Sequence, residues 1–257
     1  MTTALITGAS SGIGPLYAHR LAARGHDLVL VARRTDRLEA LSAELRAAHG
    51  IAIETITADL TDASDLEAVV ERLRTGGAID ILVNNAGSTL PGGVVGADLA
   101  AMDRLLRLNV TAPTMLASVA ATGMAARGAG AIVNIASALA FIPDLFPGIY
   151  SATKSYLLTF SRGLSAEVGP RGVYVQAVVP AATRTELWEH AGADVNRIPG
   201  VMDVDALVDA ALVGFDRKEE VTIPAIHDLS AWEALERARG VLASGFQQSE
   251  PAPRYRA

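Results

Sequence analysis

The stretch TGASSGIG at residues 7–14 follows directly after an apolar run at residues 2–6 and opens a segment with helical periodicity. Glycines in such a strand-to-helix turn let the backbone bend sharply and approach a pyrophosphate, whose charge then lies at the positive end of the helix dipole. The spacing differs from the commoner G-x-G-x-x-G, so a plain tight connection is the alternative. The position of the turn in the first strand–helix unit favours a dinucleotide site.

Short apolar runs continue to alternate with longer helical segments along the chain, which predicts repeated strand–helix–strand units around a parallel sheet. We expect strands at residues 2–6, 27–32, 52–57, 80–84, 131–136, 173–179 and 220–224. We expect helices at residues 13–24, 35–48, 62–74, 98–127, 148–168 and 227–246. Strand runs that are apolar throughout indicate helices on both faces of the sheet. The predicted fold class is α/β, a Rossmann-like doubly wound parallel sheet of about seven strands in one domain over residues 1–257, with a flexible tail at about 246–257.

The composition argues against several classes of function. The 22 basic and 28 acidic residues give a formal charge of -6, and no run of basic residues is long enough to bind along a phosphate backbone. Nucleic acid is therefore not an expected partner. The chain lacks cysteine and its five histidines are scattered, which argues against a metal site. Because no charged leader and no apolar run of about 18 residues is found, we expect a soluble, cytoplasmic protein without a membrane partner.

Two arginines at the end of the second strand bear on the choice of cofactor. An NAD-selective site places a carboxylate here for the ribose hydroxyls, whereas Arg33 and Arg34 could hold a 2′-phosphate, so we predict NADP(H), with Arg33 the better candidate. The alternative is a pair of solvated charges at a helix start. After the third strand, Asp59, followed by Leu60, could bond an adenine amine, although an aspartate near a helix start is as often a cap.

Five motifs occur in order at compatible spacings. They are TGASSGIG at 7–14, NNAG at 84–87, Asn109 in LNVTAP, Ser137 in NIASALA, and YSATK at 150–154. With these motifs the sequence resembles a short-chain dehydrogenase/reductase over about residues 2–190. Alone, each motif has a plainer interpretation, such as an exposed helix face for YSATK or a strand-end turn for Ser137.

The resemblance implies a catalytic set of Asn109, Ser137, Tyr150 and Lys154. Tyr150 would be the general acid in reduction and the base in oxidation, and Lys154 would lower its pKa and hold the nicotinamide ribose. Ser137 would bind the substrate oxygen, and Asn109 would order a water in a proton relay. Residues four apart share one helical face, and opposite charges about 4 Å apart at a dielectric of about 20 interact by roughly 4 kcal/mol, at most about three pKa units.

Together these arguments predict the cofactor-binding and substrate-binding residues. The cofactor set is Gly8, Ser10, Ser11, Gly12, Ile13, Gly14, Arg33, Arg34, Asp59, Leu60, Asn85, Ala86, Gly87, Tyr150, Lys154, Pro180, Thr183 and Thr185. The substrate set is Ser137, Leu139, Tyr150 and Trp188, with Leu187, Met202 and either Phe141 or Phe146 as further candidates. The segment 184–202 is the predicted substrate lid. Family members usually have Pro-Gly after the sixth strand, so Ala181 leaves the loop path near the nicotinamide amide open.

The predicted function is NADP(H)-dependent interconversion of a ketone or aldehyde and an alcohol, with carbonyl reduction the expected direction. The partners we expect are a small carbonyl or alcohol substrate and further copies of the chain, in a homodimer or homotetramer packed through residues 98–127 and 148–168. One alternative is a non-catalytic NADP-binding redox sensor, which has no need of the acid Tyr150. Another is an epimerase or dehydratase on the same scaffold, which would consume no net NADPH.

Overall fold

A computed structural model describes residues 2–146, 148–190, 192 and 194–256. Positions 191 and 193 of the predicted lid lie outside the described residues. So do position 147, next to the candidate Phe146, and both ends of the predicted domain, positions 1 and 257.

Seven parallel strands form one sheet in the order β3-β2-β1-β4-β5-β6-β7. The strands are β1 (Thr3–Thr7), β2 (Asp27–Ala32), β3 (Ile53–Thr57), β4 (Ile81–Asn84), β5 (Gly130–Ile135), β6 (Val173–Val178) and β7 (Val221–Thr222). The order reverses between β1 and β4, and open α/β sheets bind ligands at such a switch point, outside the carboxyl ends of the strands. The predicted Rossmann-like class and the seven strands are confirmed.

The helices are α1 (Ile13–Ala23), α2 (Thr35–His49), α3 (Ala63–Thr75), α4 (Leu99–Leu106), α5 (Ala112–Arg127), α6 (Ile149–Val168), α7 (Leu187–His190), α8 (Val204–Asp216) and α9 (Ser230–Gly245). One departure from the predicted pattern lies in the segment 98–127, where a π-helical turn, Arg107–Thr111, joins α4 to α5. The predictions also lack α8, although Leu207, Val208, Ala211 and Leu212 form its buried stripe.

Side chains from both faces of the sheet are buried, which explains the uniformly apolar strands. In β2, Leu28 and Leu30 join the core formed with α1, α2 and α8. Val29 and Val31 point the other way, into the core formed with α3, α5 and α6. Successive strand residues face opposite sides, so a strand covered by helices on both faces must be apolar at every position.

The contacts within the chain define two compact units, Met1–Pro224 and Ala225–Ala257. The first unit contains the whole sheet and every predicted site residue. The second contains α9, in which no residue is buried. The sequence predicts an inward face with Trp232 and Leu235 on this helix; Leu235 is exposed and Trp232 is only partly buried. A single domain over 1–257 stays a prediction.

The described residues lack both a membrane-spanning helix and a metal-binding cluster. None of the described helices has both the length and the hydrophobicity needed to span a bilayer. Within the same residues, no cluster of three or more His, Cys, Asp or Glu side chains could hold a metal ion.

Candidate active site

The glycine turn leaves a concave surface of backbone between β1 and α1. Gly8 and Gly12 have φ angles of 67° and 62°, which glycine adopts without strain. A Cβ on Gly14 would lie 2.2 Å from the Gly8 oxygen, so that position excludes every larger residue. The described residues supply no side-chain cap for the start of α1, so its backbone amides can donate to an anion, and the turn fits a dinucleotide pyrophosphate.

Thr7 and Asn85 fix the turn to the end of β4. The Asn85 side-chain amide donates to the backbone carbonyl oxygens of Thr7 and Gly8, at 2.9 and 3.2 Å. The Thr7 hydroxyl accepts from the backbone N–H groups of Asn85 and Ala86, each at 3.0 Å. The Asn85 side chain therefore binds the glycine turn and holds it in place. Thr7 is absent from the predicted residues, since a buried threonine at a strand end is not distinctive in sequence.

Arg34 lies against the glycine turn. Its Nε donates to the Ser10 hydroxyl at 3.2 Å, and its Nη2 donates to the Ser10 oxygen at 3.1 Å. Arg37, which is absent from the predicted set, donates to the same oxygen at 3.4 Å. In the sequence, Arg37 lies three residues after Arg34, which places both on one helical face, and this spacing could have identified it. The favoured candidate, Arg33, has a side chain that is 71% exposed and lies 3.9 Å from the Asp59 carboxylate.

Asp59 closes a local turn after β3. Its carboxylate accepts from the backbone N–H and the hydroxyl of Thr61, at 3.0 and 2.8 Å. Asp59 therefore closes a turn and does not cap the helix, and its contact with an adenine amine stays a prediction. The N-terminal cap of α3 is the next carboxylate, Asp62, which accepts from Ser64 and Asp65. Leu60 is buried in the core on the α3 side of the sheet.

Tyr150 and Lys154 lie in the first turns of α6 and are both buried. The Lys154 ammonium donates to the Ile135 oxygen at 2.8 Å and lies 5.8 Å from the centre of the Tyr150 ring. It is also close to the end of β4, because a Cβ on Gly87 would lie 3.5 Å from this nitrogen. The two side chains therefore face one cleft between the ends of β4 and β5.

Burial dominates the protonation of this pair. Burial raises the pKa of Tyr150 to about 12, against the lowering effect of its hydrogen bond with Ser137. Burial lowers the pKa of Lys154 to about 8. Tyr150 is therefore a neutral phenol at physiological pH. The lowering of its pKa by Lys154 stays a prediction for the loaded site.

Asn109 lies in the π-helical turn, and its buried side chain holds a loop and a helix together. Its Oδ1 accepts from the Ser88 backbone N–H at 3.0 Å, and its Nδ2 donates to the Ser88 oxygen at 2.9 Å. The same Nδ2 donates to the Thr153 hydroxyl at 3.1 Å, and that hydroxyl donates to the backbone carbonyl oxygen of Tyr150 at 2.7 Å. Asn109 thus ties the loop after β4 to the helix that carries Tyr150. Its role in a water relay stays a prediction.

Ser137 begins the loop after β5, and backbone contacts with the β6 loop position it. The Ala138 N–H donates to the Pro180 oxygen at 2.8 Å. The Ser137 hydroxyl also accepts from the Leu139 N–H at 3.2 Å. Among the described residues, Lys218 is the only non-glycine residue with positive φ, so Ala181 fits this loop without a left-handed backbone.

The two ends of the predicted lid are paired with each other. Thr183 and Met202 form a parallel bridge, and the Arg184 N–H donates to the Met202 oxygen at 3.0 Å. The Trp188 indole donates to the Thr183 oxygen at 2.7 Å. The methyl group of Thr185 faces the glycine turn, 3.3 Å from a Cβ placed on Gly12.

Two loops beside the cleft expose apolar side chains. The loop after β4 exposes Val94 and Val95, and the loop after β5 exposes Ile142 and Leu145. The loops meet where a Cβ on Gly148 would lie 2.7 Å from the Gly92 oxygen. Phe146 packs edge-on against Tyr150 with the ring centres 6.0 Å apart. We call Val94, Val95, Ile142 and Leu145 the apolar rim.

A family model described as short chain dehydrogenase matches residues 2–196, which include the glycine turn, Asn109, Ser137, Tyr150 and Lys154. The chain belongs to the short chain dehydrogenase family. The resemblance inferred from five motifs is confirmed. A curated relative, the very-long-chain 3-oxoacyl-CoA reductase of Macaca fascicularis, is 34% identical over 191 residues. That match covers 72% of this chain and 60% of the relative, so the chain spans less than two thirds of the relative's length.

Two solved structures match this short chain dehydrogenase over its whole length. A short-chain dehydrogenase from Sphingobium yanoikuyae in complex with NADPH is 55% identical with a TM-score of 0.97, and the match covers 100% of both chains. The bulky-bulky ketone specific alcohol dehydrogenase from Comamonas testosteroni is 50% identical with a TM-score of 0.93, covering 100% of this chain and 99% of the other.

Proposed function

We propose that the protein is an NADP(H)-dependent oxidoreductase that interconverts a ketone or aldehyde and an alcohol, in the manner of a carbonyl reductase. The observation that carries this proposal is the buried Tyr150 hydroxyl. Ser137 lowers the pKa of this hydroxyl, and Tyr150 lies on the same helical face as Lys154. This acid and the glycine turn lie at the same carboxyl edge of the sheet, on either side of the switch point between β1 and β4. Asn85 joins the glycine turn to the end of β4.

The choice of NADP(H) rests on the positive charge at the end of β2. The guanidinium groups of Arg34 and Arg37 lie against Ser10, and a third, on Arg33, is exposed beside them. Planar guanidinium groups suit a phosphate ester, whereas the ribose hydroxyls of NAD call for a carboxylate. The complex of the Sphingobium dehydrogenase with NADPH supports this choice.

The bound dinucleotide would supply or accept a hydride at the substrate carbon. In reduction, Tyr150 donates its proton to the substrate oxygen, and Ser137 holds that oxygen by a hydrogen bond. The high pKa of Tyr150 keeps the phenol protonated, while an alkoxide is a stronger base than a phenolate and takes the proton readily. In oxidation the proton moves back, which requires the phenolate to be stabilised.

Lys154 positions the cofactor and stabilises negative charge on Tyr150. Its ammonium lies between the end of β5 and Gly87, where it can donate to ribose hydroxyls. Asn109 and Thr153 hold α6 so that both side chains keep their orientation. Burial of the pair excludes water and strengthens each charge interaction.

We further propose that the substrate carbonyl carries two large apolar groups. The apolar rim exposes four aliphatic side chains beside the cleft, with Phe146 next to Tyr150. Exposed apolar surface next to an active site marks a binding region for apolar ligands. The specificity named for the Comamonas relative agrees with this substrate class.

A panel of ketones and aldehydes with NADPH tests the proposal through the loss of reduced-cofactor absorbance. Ketones with two large groups should be reduced with higher kcat/KM than small methyl ketones. In Tyr150→Phe, kcat should fall by about 10²–10⁴-fold while NADPH still binds. Tyr255→Phe is the control, because this tyrosine is exposed and lies outside the unit that contains the candidate site. Full activity in Tyr150→Phe would overturn the mechanism, and a preference for small ketones would overturn the substrate class.

We also propose a cytoplasmic location and a homodimer or homotetramer formed through residues 98–127 and 148–168. Supporting the assembly, Tyr156 and Phe160 of α6 stack at 5.9 Å, and Tyr156 is exposed. Light scattering of the purified protein tests it, and a monomer at all concentrations would exclude it.

A further inference from the structure

Glu186 connects the predicted lid to the arginines beside the glycine turn. Its Oε2 lies 3.0 Å from Nη1 of Arg34, and its Oε1 lies 2.7 Å from Nη1 of Arg37. Each carboxylate oxygen therefore faces one guanidinium group. A phosphate ester would present its oxygens to the same pair.

The arginines have a second anchor that does not depend on Glu186. Arg34 donates to both the hydroxyl and the backbone oxygen of Ser10, and Arg37 donates to that backbone oxygen. Removal of the carboxylate would thus leave both guanidinium groups at the glycine turn. The Glu186 carboxylate therefore pairs with two guanidinium groups that Ser10 already holds at the glycine turn.

We propose that Glu186 is a specificity-determining residue that competes with the 2′-phosphate of NADP(H) for Arg34 and Arg37. In the cofactor-free protein the carboxylate binds the arginine pair, and the phosphate displaces it. The inference rests on the proposed NADP(H) dependence. Glu186 therefore acts as a latch that holds residues 184–188 at the phosphate site until a phosphorylated ribose arrives.

The balance of charge favours this exchange. A phosphate monoester carries about −1.5 to −2 charges near neutral pH, against one on Glu186. The three side chains are 36%, 46% and 37% exposed for Arg34, Arg37 and Glu186, so the ion pairs are weak enough to be replaced. Hydrogen bonding from Arg37 lowers the pKa of Glu186, so the carboxylate remains charged in the latched state.

The latch continues into the lid. Thr185, the residue before Glu186, faces Gly12. The backbone N–H of Trp188 lies 3.4 Å from the backbone oxygen of Thr185. The Trp188 indole is bonded in turn to Thr183. Release of Glu186 would therefore free one side of the predicted lid.

Glu186→Gln tests the competition by removing the charge while keeping the size of the side chain. We expect its Kd for NADPH to fall by about three- to tenfold, with the Kd for NADH changed less than about twofold. Glu54→Gln is the matched control, because Glu54 is also paired with an arginine, Arg72, at 2.8 Å, but lies in β3. This control should leave both constants unchanged.

Amide hydrogen exchange over residues 184–188 gives a readout independent of turnover. In the parent protein, adenosine 2′-monophosphate should raise exchange there, and adenosine 5′-monophosphate should not. In Glu186→Gln, exchange should already be high without a ligand and insensitive to both.

The outcomes separate this inference from the proposed function. If the parent protein binds NADPH but Glu186→Gln binds it equally or more weakly, the carboxylate does not compete and the latch is refuted. Exchange over 184–188 that is unchanged by the 2′-monophosphate would also refute it. If neither protein binds NADPH, the proposed cofactor is wrong and the latch falls with it.

Discussion

The Lys154 ammonium donates a hydrogen bond to the Ile135 carbonyl oxygen at 2.8 Å, within a cleft that shields it from water. This single backbone acceptor does not offset the loss of hydration, and the pKa falls to about 8. Lys154 is thus only partly charged at mildly alkaline pH before a ligand arrives.

Binding of NADPH should therefore take up protons. The negative dinucleotide and its ribose hydroxyls favour the ammonium form, so they raise the pKa of Lys154 from about 8, and the neutral fraction acquires a proton. We expect an uptake of about half a proton per site at pH 8, and much less at pH 6. Calorimetry in buffers of different ionisation enthalpy measures it, and Lys154→Met should abolish the pH 8 uptake. Proton release would contradict the assignment.

The arginines should differ in their effect on cofactor choice. Arg34 makes two hydrogen bonds to Ser10 at the glycine turn, whereas Arg33 is 71% exposed. Arg34→Ala should therefore weaken NADPH binding by about ten- to hundredfold, with NADH binding little changed, and Arg33→Ala should have a smaller effect. Titration of each variant with both cofactors measures the four constants. A larger loss in Arg33→Ala would restore the order that we inferred from the sequence.

Two glycine substitutions should have opposite effects on stability. A Cβ at Gly14 would lie 2.2 Å from a backbone oxygen of the glycine turn, so Gly14→Ala should destabilise the protein and abolish cofactor binding. Gly163 lies inside α6, and a Cβ added there would have no neighbouring atom within 4 Å, so Gly163→Ala should stabilise by about 0.5–1 kcal/mol. Thermal unfolding with and without NADPH distinguishes them. Equal melting temperatures would contradict the steric argument.

Replacing Asn109 should loosen the cleft. Asn109→Ala removes three hydrogen bonds from a buried site and leaves the Ser88 N–H without its acceptor, which we expect to cost about 2–4 kcal/mol of unfolding free energy. Asn196→Ala, at an exposed asparagine, is the stability control and should change little. Denaturant titration measures both. A loss below the control's would show that Asn109 has no structural role.

Much of the fold and part of the site were predictable because their signals are local. Apolar runs indicate the strands, and the four-residue spacing places Tyr150 and Lys154 on one face of α6. The pairing of Arg37 with Glu186 joins residues that are 149 positions apart, and no local sequence pattern around either residue predicts the contact. Ser88 similarly acquires its role only when the loop after β4 meets Asn109.

Some helices differ from the prediction because their sequence pattern does not reveal the difference. Alanine-rich residues 98–127 predict one continuous helix, because the π-helical turn changes hydrogen bonding without interrupting the periodicity noticeably. The buried stripe of α8 is present in the sequence, although the predicted elements do not include it. Conversely, α9 has apolar residues such as Leu235 that suggest an inward face, yet none of its side chains is buried.

The turn at Arg107–Thr111 makes the cleft sensitive to chain length. It accommodates one more residue than an ordinary helical turn would, and each helical residue advances the direction of the next side chain by about 100°. Deleting a single amino acid here would let the helix relax to regular winding and swing the Asn109 amide away from Ser88. Among variants with single-residue deletions, those within this turn should lose activity more often than those at an ordinary helix end.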